Sequence, residues 1–219
     1  MQLGHTRRQV LVSALYLQIH QVVAQAYYCG AKESERPAVA TLIETQHLAH
    51  QELTLDALHL IPSTLDLIHT GGGRYVVVLK PNQPHLYRTG TLTDLFSVAN
   101  YERVDAKTKQ HGRVEQRRCR CFKMNASSAA VRWQKSGMCT LLCVVRSREI
   151  SGLMSKEVSY YVSNHTPTNQ AQADELFNAI RGHCRAAVAG RRGDTSQTGC
   201  QSVGRRLTDW QSSSKSSTR

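Results

Sequence analysis

The sequence predicts an α/β fold, and three observations carry that reading. Tyr75-Val76-Val77-Val78-Leu79 is an unbroken apolar run of aromatic and β-branched residues, the pattern of a strand covered on both faces as in a parallel sheet. Before it, Leu53 to Leu60 reads as a strand and Ser63 to Thr70 as a short helix, so strand, helix and strand make one crossover unit, right-handed by default. Beyond it, residues 101–165 are basic and rich in strand signals, whereas 185–219 change abruptly to Gly, Arg, Gln, Ser and Thr.

The elements follow in order. From Val10 to Cys29, residues Val10, Val12, Val22, Val23, Tyr27 and Tyr28 favour extended structure, and a two-stranded hairpin is expected. Tyr16 to His20 offers it no Gly, Asn or Asp for the turn. Glu33 to Gln51 reads as a helix. Ser34 can cap it, Pro37 lies in the first turn where its missing N–H costs little, and Val39, Leu42, Ile43 and Gln46 share one face. Leu65 and Ile68 point inward from the next helix, which Gly71-Gly72-Gly73 stops. A helix over Pro84 to Ala99 takes Leu86, Leu92, Leu95 and Phe96 as its apolar set, with Gly90 weakening it. Leu141 to Val145 and Val158 to Val162 read as strands joined through Glu149 to Lys156, and Ala171 to Cys184 as a helix with Ala173, Leu176, Phe177 and Ile180 inward. Residues 185–219 hold few large apolar side chains (Val188, Val203, Leu207 and Trp210), too few to offset the entropy of ordering, so a disordered tail is expected.

Composition narrows the function. A formal net charge of +12 and a pI near 9.7 point to a polyanionic partner, nucleic acid first; a basic surface serving only solubility is the plainer alternative. No run of eighteen apolar residues exists, so no membrane span is expected, and Met1 to Val10 does not resemble a signal peptide. Seven cysteines, an odd number at irregular spacing, suggest free thiols in a reducing cytoplasm. Cys119-x-Cys121 and Cys139-x₃-Cys143 invite a zinc reading, but the first pair has one intervening residue and Cys143 sits in an apolar strand, where cysteine acts as a small hydrophobe. Tyr101 to Lys123 holds eight Lys/Arg residues, the densest basic stretch before the tail. Within it Arg113, Arg117 and Arg118 alternate with Val114 and Gln116; they suit phosphate through the planar guanidinium, or form a charged edge that resists sheet-to-sheet aggregation. Asp56, at a strand end before a helix, suits a metal ligand and equally a turn cap. Lys80 and Asn82 leave the Tyr75 strand on the same side, as phosphate contacts or, for Asn82, as a cap before Pro84.

Four blocks add a resemblance: Thr54-Leu55-Asp56-Ala57-Leu58-His59, Tyr75-Val76-Val77-Val78-Leu79-Lys80-Pro81-Asn82-Gln83, His111-Gly112-Arg113-Val114-Glu115-Gln116-Arg117-Arg118 and Ala179-Ile180-Arg181-Gly182-His183. In this order they resemble a bacterial DDE insertion-sequence transposase of the H-repeat-associated group. Lys32 to Ala38 and Tyr160-Tyr161-Val162-Ser163 match further blocks, and the similarity spans most of residues 8–183. The resemblance implies a ribonuclease H-like core: a partial core over 1–100, a basic β-rich insertion over 101–165, a returning core helix over 166–184 and the tail over 185–219. It further implies DNA cleavage and strand transfer in transposition by three carboxylates holding two Mg²⁺ (or Mn²⁺) ions about 4 Å apart. Asp56 corresponds to the second acid and a metal ligand. Lys80, Asn82, His111, Arg113, Arg117, Arg118 and Arg181 are the implied DNA contacts.

The departures from the pattern matter as much. The family's first acid lies in an Asp-Gly-Lys block on a strand before the hairpin, and Met1 to Thr6 contains no acid. Its third acid belongs to a Gly-His-Trp-x-Ile-Glu-Asn block; here Gly182-His183 matches, Cys184 departs, and Ala187 stands where Glu would be. The expectation is a truncated, inactive copy lacking the first core strand, with a reading-frame shift after codon 184 as the hypothesis for its tail. Implied partners are transposon-end DNA, further copies of the chain or an intact related transposase, at the bacterial nucleoid. The competing readings are a basic DNA-binding remnant or regulator without catalysis, and an RNA- or zinc-binding module, the RNA case disfavoured by low aromatic content.

Overall fold

A computed structural model describes residues 9–16, 21–29, 35–110, 112–124, 131–192 and 202–206. Among these, strands β1 (Gln9–Tyr16), β2 (Gln21–Cys29), β3 (Glu52–Leu55), β4 (Arg74–Leu79), β5 (Tyr101–Val104), β6 (Thr108–Gln110), β7 (Arg113–Lys123), β8 (Thr140–Ile150), β9 (Leu153–Ser163) and β10 (Ser202–Arg206) join in one sheet. Its order is β2-β1-β10-β3-β4-β9-β8-β7-β5, with β6 on β7. Four helices accompany it: α1 (Glu35–Thr45), α2 (Pro62–Thr70), α3 (Pro84–Phe96) and α4 (Gln170–Arg192). The fold is α/β as the sequence predicts, with a mostly antiparallel sheet.

β3 and β4 pair in parallel with α2 between them, so the crossover unit is present. Alternation along β4 assigns Tyr75, Val77 and Leu79 to one core and Val76 and Val78 to the other, which is why this strand is apolar throughout. The larger core holds Val39, Leu42 and Ile43 of α1, Leu65 and Ile68 of α2, and Leu86 of α3. The smaller lies under α4, where Ala173, Leu176, Phe177 and Ile180 meet Cys119, Cys121, Leu142 and Val144. All four inward residues expected of the last helix are buried there.

Several boundaries differ from the sequence reading. The first helix begins at Glu35 and gives way after Thr45 to a 3₁₀ turn, Leu48–His50, with Gln46 exposed; Ser34 lies outside the described residues. β3 ends at Leu55 because Asp56 caps a 3₁₀ turn, Ala57–His59. In α3, Leu86 is buried but Leu92, Leu95 and Phe96 are 44%, 67% and 81% exposed. The helix faces the sheet through Leu86, Gly90 and Asp94: a Cβ on Gly90 would lie 3.1 Å from Leu141 Cδ1, and Asp94 pairs with Arg120 at 2.7 Å and accepts from Tyr160 Oη at 3.1 Å. A small residue and an ion pair thus set its orientation, where the apolar count favoured another face.

The connection expected over Glu149 to Lys156 is mostly strand. β8 and β9 run eleven residues each and turn at Ser151 and Gly152, both with positive φ (51° and 79°). Two left-handed central residues define the type I′ turn that matches strand twist.

The tail also departs from expectation. α4 continues to Arg192, eight residues beyond Cys184, and Ser202–Arg206 form a strand. The extension of α4 is rich in Ala and Arg, which favour helix without large apolar side chains. β10 lies between β1 and β3, parallel to the first and antiparallel to the second, and its main chain satisfies polar groups on both flanks. Residues 193–201 and 207–219, and the hairpin turn at 17–20, lie outside the described residues.

Candidate functional site

Asp56 stands at the C-terminal end of β3, beside the parallel strand β4. Its carboxylate accepts the Ala57 N–H at 2.7 Å, so it caps the turn, and Lys80 at the exit of β4 brings Nζ to 3.5 Å from Oδ1. The parallel pairing of β3 with β4 is what brings these two expected site residues together. Asn82 is exposed in the turn that follows; Gln83, not Asn82, occupies the cap position of α3.

Two buried side chains, His59 and Glu35, and the half-buried His183 form a set that sequence reasoning did not single out. His59 Nε2 and Glu35 Oε1 are 3.1 Å apart, with both side chains almost wholly buried. His183, on α4, is the third member: burial pushes its imidazole below the ordinary histidine value, the Asp56 charge pulls it back up, and His59 lowers it again. Nδ1 of His59 and Nδ1 of His183 are both buried without a hydrogen-bond partner among the described residues. The sequence carried one usable signal for this set, because His59 and His183 end two of the blocks that bear the resemblance. Glu35 lies in a further matching block, Lys32 to Ala38, but locally an acid in a first helical turn reads as a partner of the helix dipole.

These donors do not fit a pair of Mg²⁺ ions. Such ions take hard oxygen ligands, whereas the Asp56 carboxylate faces the Lys80 ammonium and acts electrostatically on the His183 imidazole, and Glu35 meets His59. Among the described residues no three His, Cys, Asp or Glu side chains gather in a metal-binding group. Cys119, Cys121 and Cys143 are free, buried thiols, pushed up by burial to about 11, 12 and 12, so they remain protonated near neutrality. Cys119 and Cys121 share the α4 face as expected of one strand, and Cys143 packs on the other face.

The second candidate surface is the outer half of β7, β8 and β9. Burial falls away along these strands: the first five residues of β8 are buried, and the first six of β9 are exposed. Register places Arg117, Arg146 and Glu157 in one row, and Glu115, Arg148 and Ser155 in the next row on the same face. Glu115 accepts from Arg117 at 2.9 Å and from Arg148 at 3.2 Å, and Glu157 pairs with Arg146. Partial burial pushes the Glu115 carboxyl up, but Arg117, Arg148 and Arg146 together hold it below the usual carboxylate value.

The remaining expected contacts separate. Arg118 pairs with Glu102 on β5, on the opposite face from Arg117. Arg181 lies 3.5 Å from Asp105 and helps to tie α4 to the β5 end of the sheet, together with Arg103, which stacks 5.3 Å over Phe177. Arg113 is exposed and has no carboxylate partner among the described residues; His111 lies outside them. Among the described residues no helix is long and apolar enough to cross a membrane.

Compared with known proteins, the chain matches no family model and no curated protein.

Proposed function

We propose that this chain is a DNA-binding protein of insertion-sequence transposase descent, with a ribonuclease H-like core whose carboxylate centre is incomplete. The observation that carries the reading is the projecting, basic outer half of β7–β9. Residues 107–117 and 146–157 hold seven Lys/Arg against three Glu, on strands whose outer residues are mostly half-buried in β7 and β8 and exposed in β9. The two-stranded end of this arm is narrow enough for a DNA groove, and its arginines can exchange surface carboxylates for backbone phosphates. Descent is supported by the block resemblance and by the position of Asp56 beside Lys80, at the strand ends where open sheets place functional groups.

What supports an absence of strand transfer is the single carboxylate at the strand ends among the described residues, Asp56, which faces the Lys80 ammonium. The test is fluorescence anisotropy of a labelled 40-base-pair mixed-sequence duplex across a salt series. Binding that weakens steeply with salt, and whose salt slope shrinks in Arg113→Ala and Arg146→Ala, supports the reading. No binding at about 50 mM salt would sink it.

A further inference from the structure

We propose that the tip of the β8–β9 hairpin is a wedge that inserts apolar side chains between stacked base pairs of duplex DNA, while Arg113 beside it holds the phosphate backbone. This rests on the DNA-binding reading above and adds the mode of engagement. Ile150, Leu153 and Met154 occupy the tip and are 52%, 78% and 61% exposed. Ile150 pairs with Leu153 across the turn, and Arg113 pairs with Ile150 from the third strand, so one row runs Arg113, Ile150, Leu153 on a single face. Met154 lies on the other face beside Glu149 and Val114. The two-residue turn at Ser151-Gly152 keeps this tip narrow.

A solvated hairpin end gains nothing from three large apolar side chains; exposed apolar groups concentrated in one place mark a contact surface. The flanks identify the partner. With seven Lys/Arg against three Glu, the arm repels a second copy of itself and attracts a polyanion. An apolar tip offers no hydrogen-bonding groups with which to read base edges in the major groove. Leu, Ile and Met side chains are instead suited to separating a base step and kinking the duplex, with basic residues on the adjacent phosphates.

The experiment compares two 30-base-pair duplexes of otherwise equal sequence, one fully paired and one with a central two-base mismatch that lowers the cost of unstacking. Affinities are measured by anisotropy for the natural chain and for Leu153→Ser/Met154→Ser. Both positions are exposed, and circular dichroism melts check that the fold is kept; the single Leu153→Thr, which retains a strand-favouring residue, reads the same ratio should the double variant melt early. The natural chain is expected to bind the mismatched duplex roughly tenfold more tightly, and the variant to bind both alike. Equal affinity of the natural chain for the two duplexes, or a variant that keeps the preference, overturns the wedge and leaves DNA binding standing. Failure to bind either duplex overturns both.

Discussion

Asp56 already serves the fold, and this sets what its replacement will do. Its carboxylate caps the turn after β3 through the Ala57 N–H and meets Lys80 across a half-exposed gap. Asp56→Ala removes the cap and is expected to cost about 1 kcal/mol in urea unfolding, while Asp56→Asn, which can cap equally well, stays near zero. The Glu35–His59 pair is a different case because both partners are buried. Glu35→Ala takes the partner from buried His59 Nε2 and should lose about 3 kcal/mol by the same measurement, more than any exposed pair on the arm. His183 and His165 give the pH dependence. Burial lowers both imidazoles from the ordinary value of 6.5, so the unfolded chain binds these protons at higher pH than the folded one. Their contribution is full above that value and is lost as pH falls through it towards the lower folded pKa. Thermal melts between about pH 7.5 and 5.5 should therefore decline in Tm, and His183→Gln with His165→Gln should flatten the slope. The depressed carboxyls of Glu115 and Glu157 act in a separate window below 4.5.

Among the elements, those with a strong local signal were legible and those set by tertiary contact were not. The alternating burial of β4, the α2 crossover and the inward set of α4 follow from apolar periodicity alone. α3 did so only at Leu86, because the rest of its contact face is made of Gly90 and Asp94, residues that periodicity counts as outward. Gly90→Val should push α3 off Leu141 and Leu79 and cost about 1–3 kcal/mol, checked by denaturation. Only the end of the arm, Glu149 to Lys156, reads as a connection, because the strands there carry charge on both faces and no alternation marks them. β10 was missed for another reason: Ser-Val-Gly-Arg-Arg has little strand propensity, and it is the flanks of β1 and β3 that order it. Val203→Pro removes a main-chain donor opposite Ala14, and hydrogen exchange at Ser13–Tyr16 is expected to accelerate. Unchanged exchange there would contradict the assignment of β10 to that position.

At the scale of the molecule, charge and chemistry emerge from the same end of the sheet. β9 pairs antiparallel with β4, Tyr160 opposite Leu79, so the outer half of the arm runs on past the strand end where Lys80 meets Asp56. The sequence disclosed the basic stretch and Asp56 because both rest on local residue types. It did not disclose that Arg117, Arg118 and Arg181 each have a carboxylate partner, since those pairings depend on register and on the packing of α4. We propose that the arm retains DNA and that the Asp56 site does not cut it. The most direct measurement incubates the purified chain with a labelled transposon-end duplex in Mg²⁺ or Mn²⁺, beside Asp56→Ala, and follows both retention and cleavage. The account predicts retention that is independent of the metal, equal in the two proteins, and no cleaved product. Cleavage by the natural chain that disappears in Asp56→Ala would contradict it, because the donors needed to organise the metal would then have to be present.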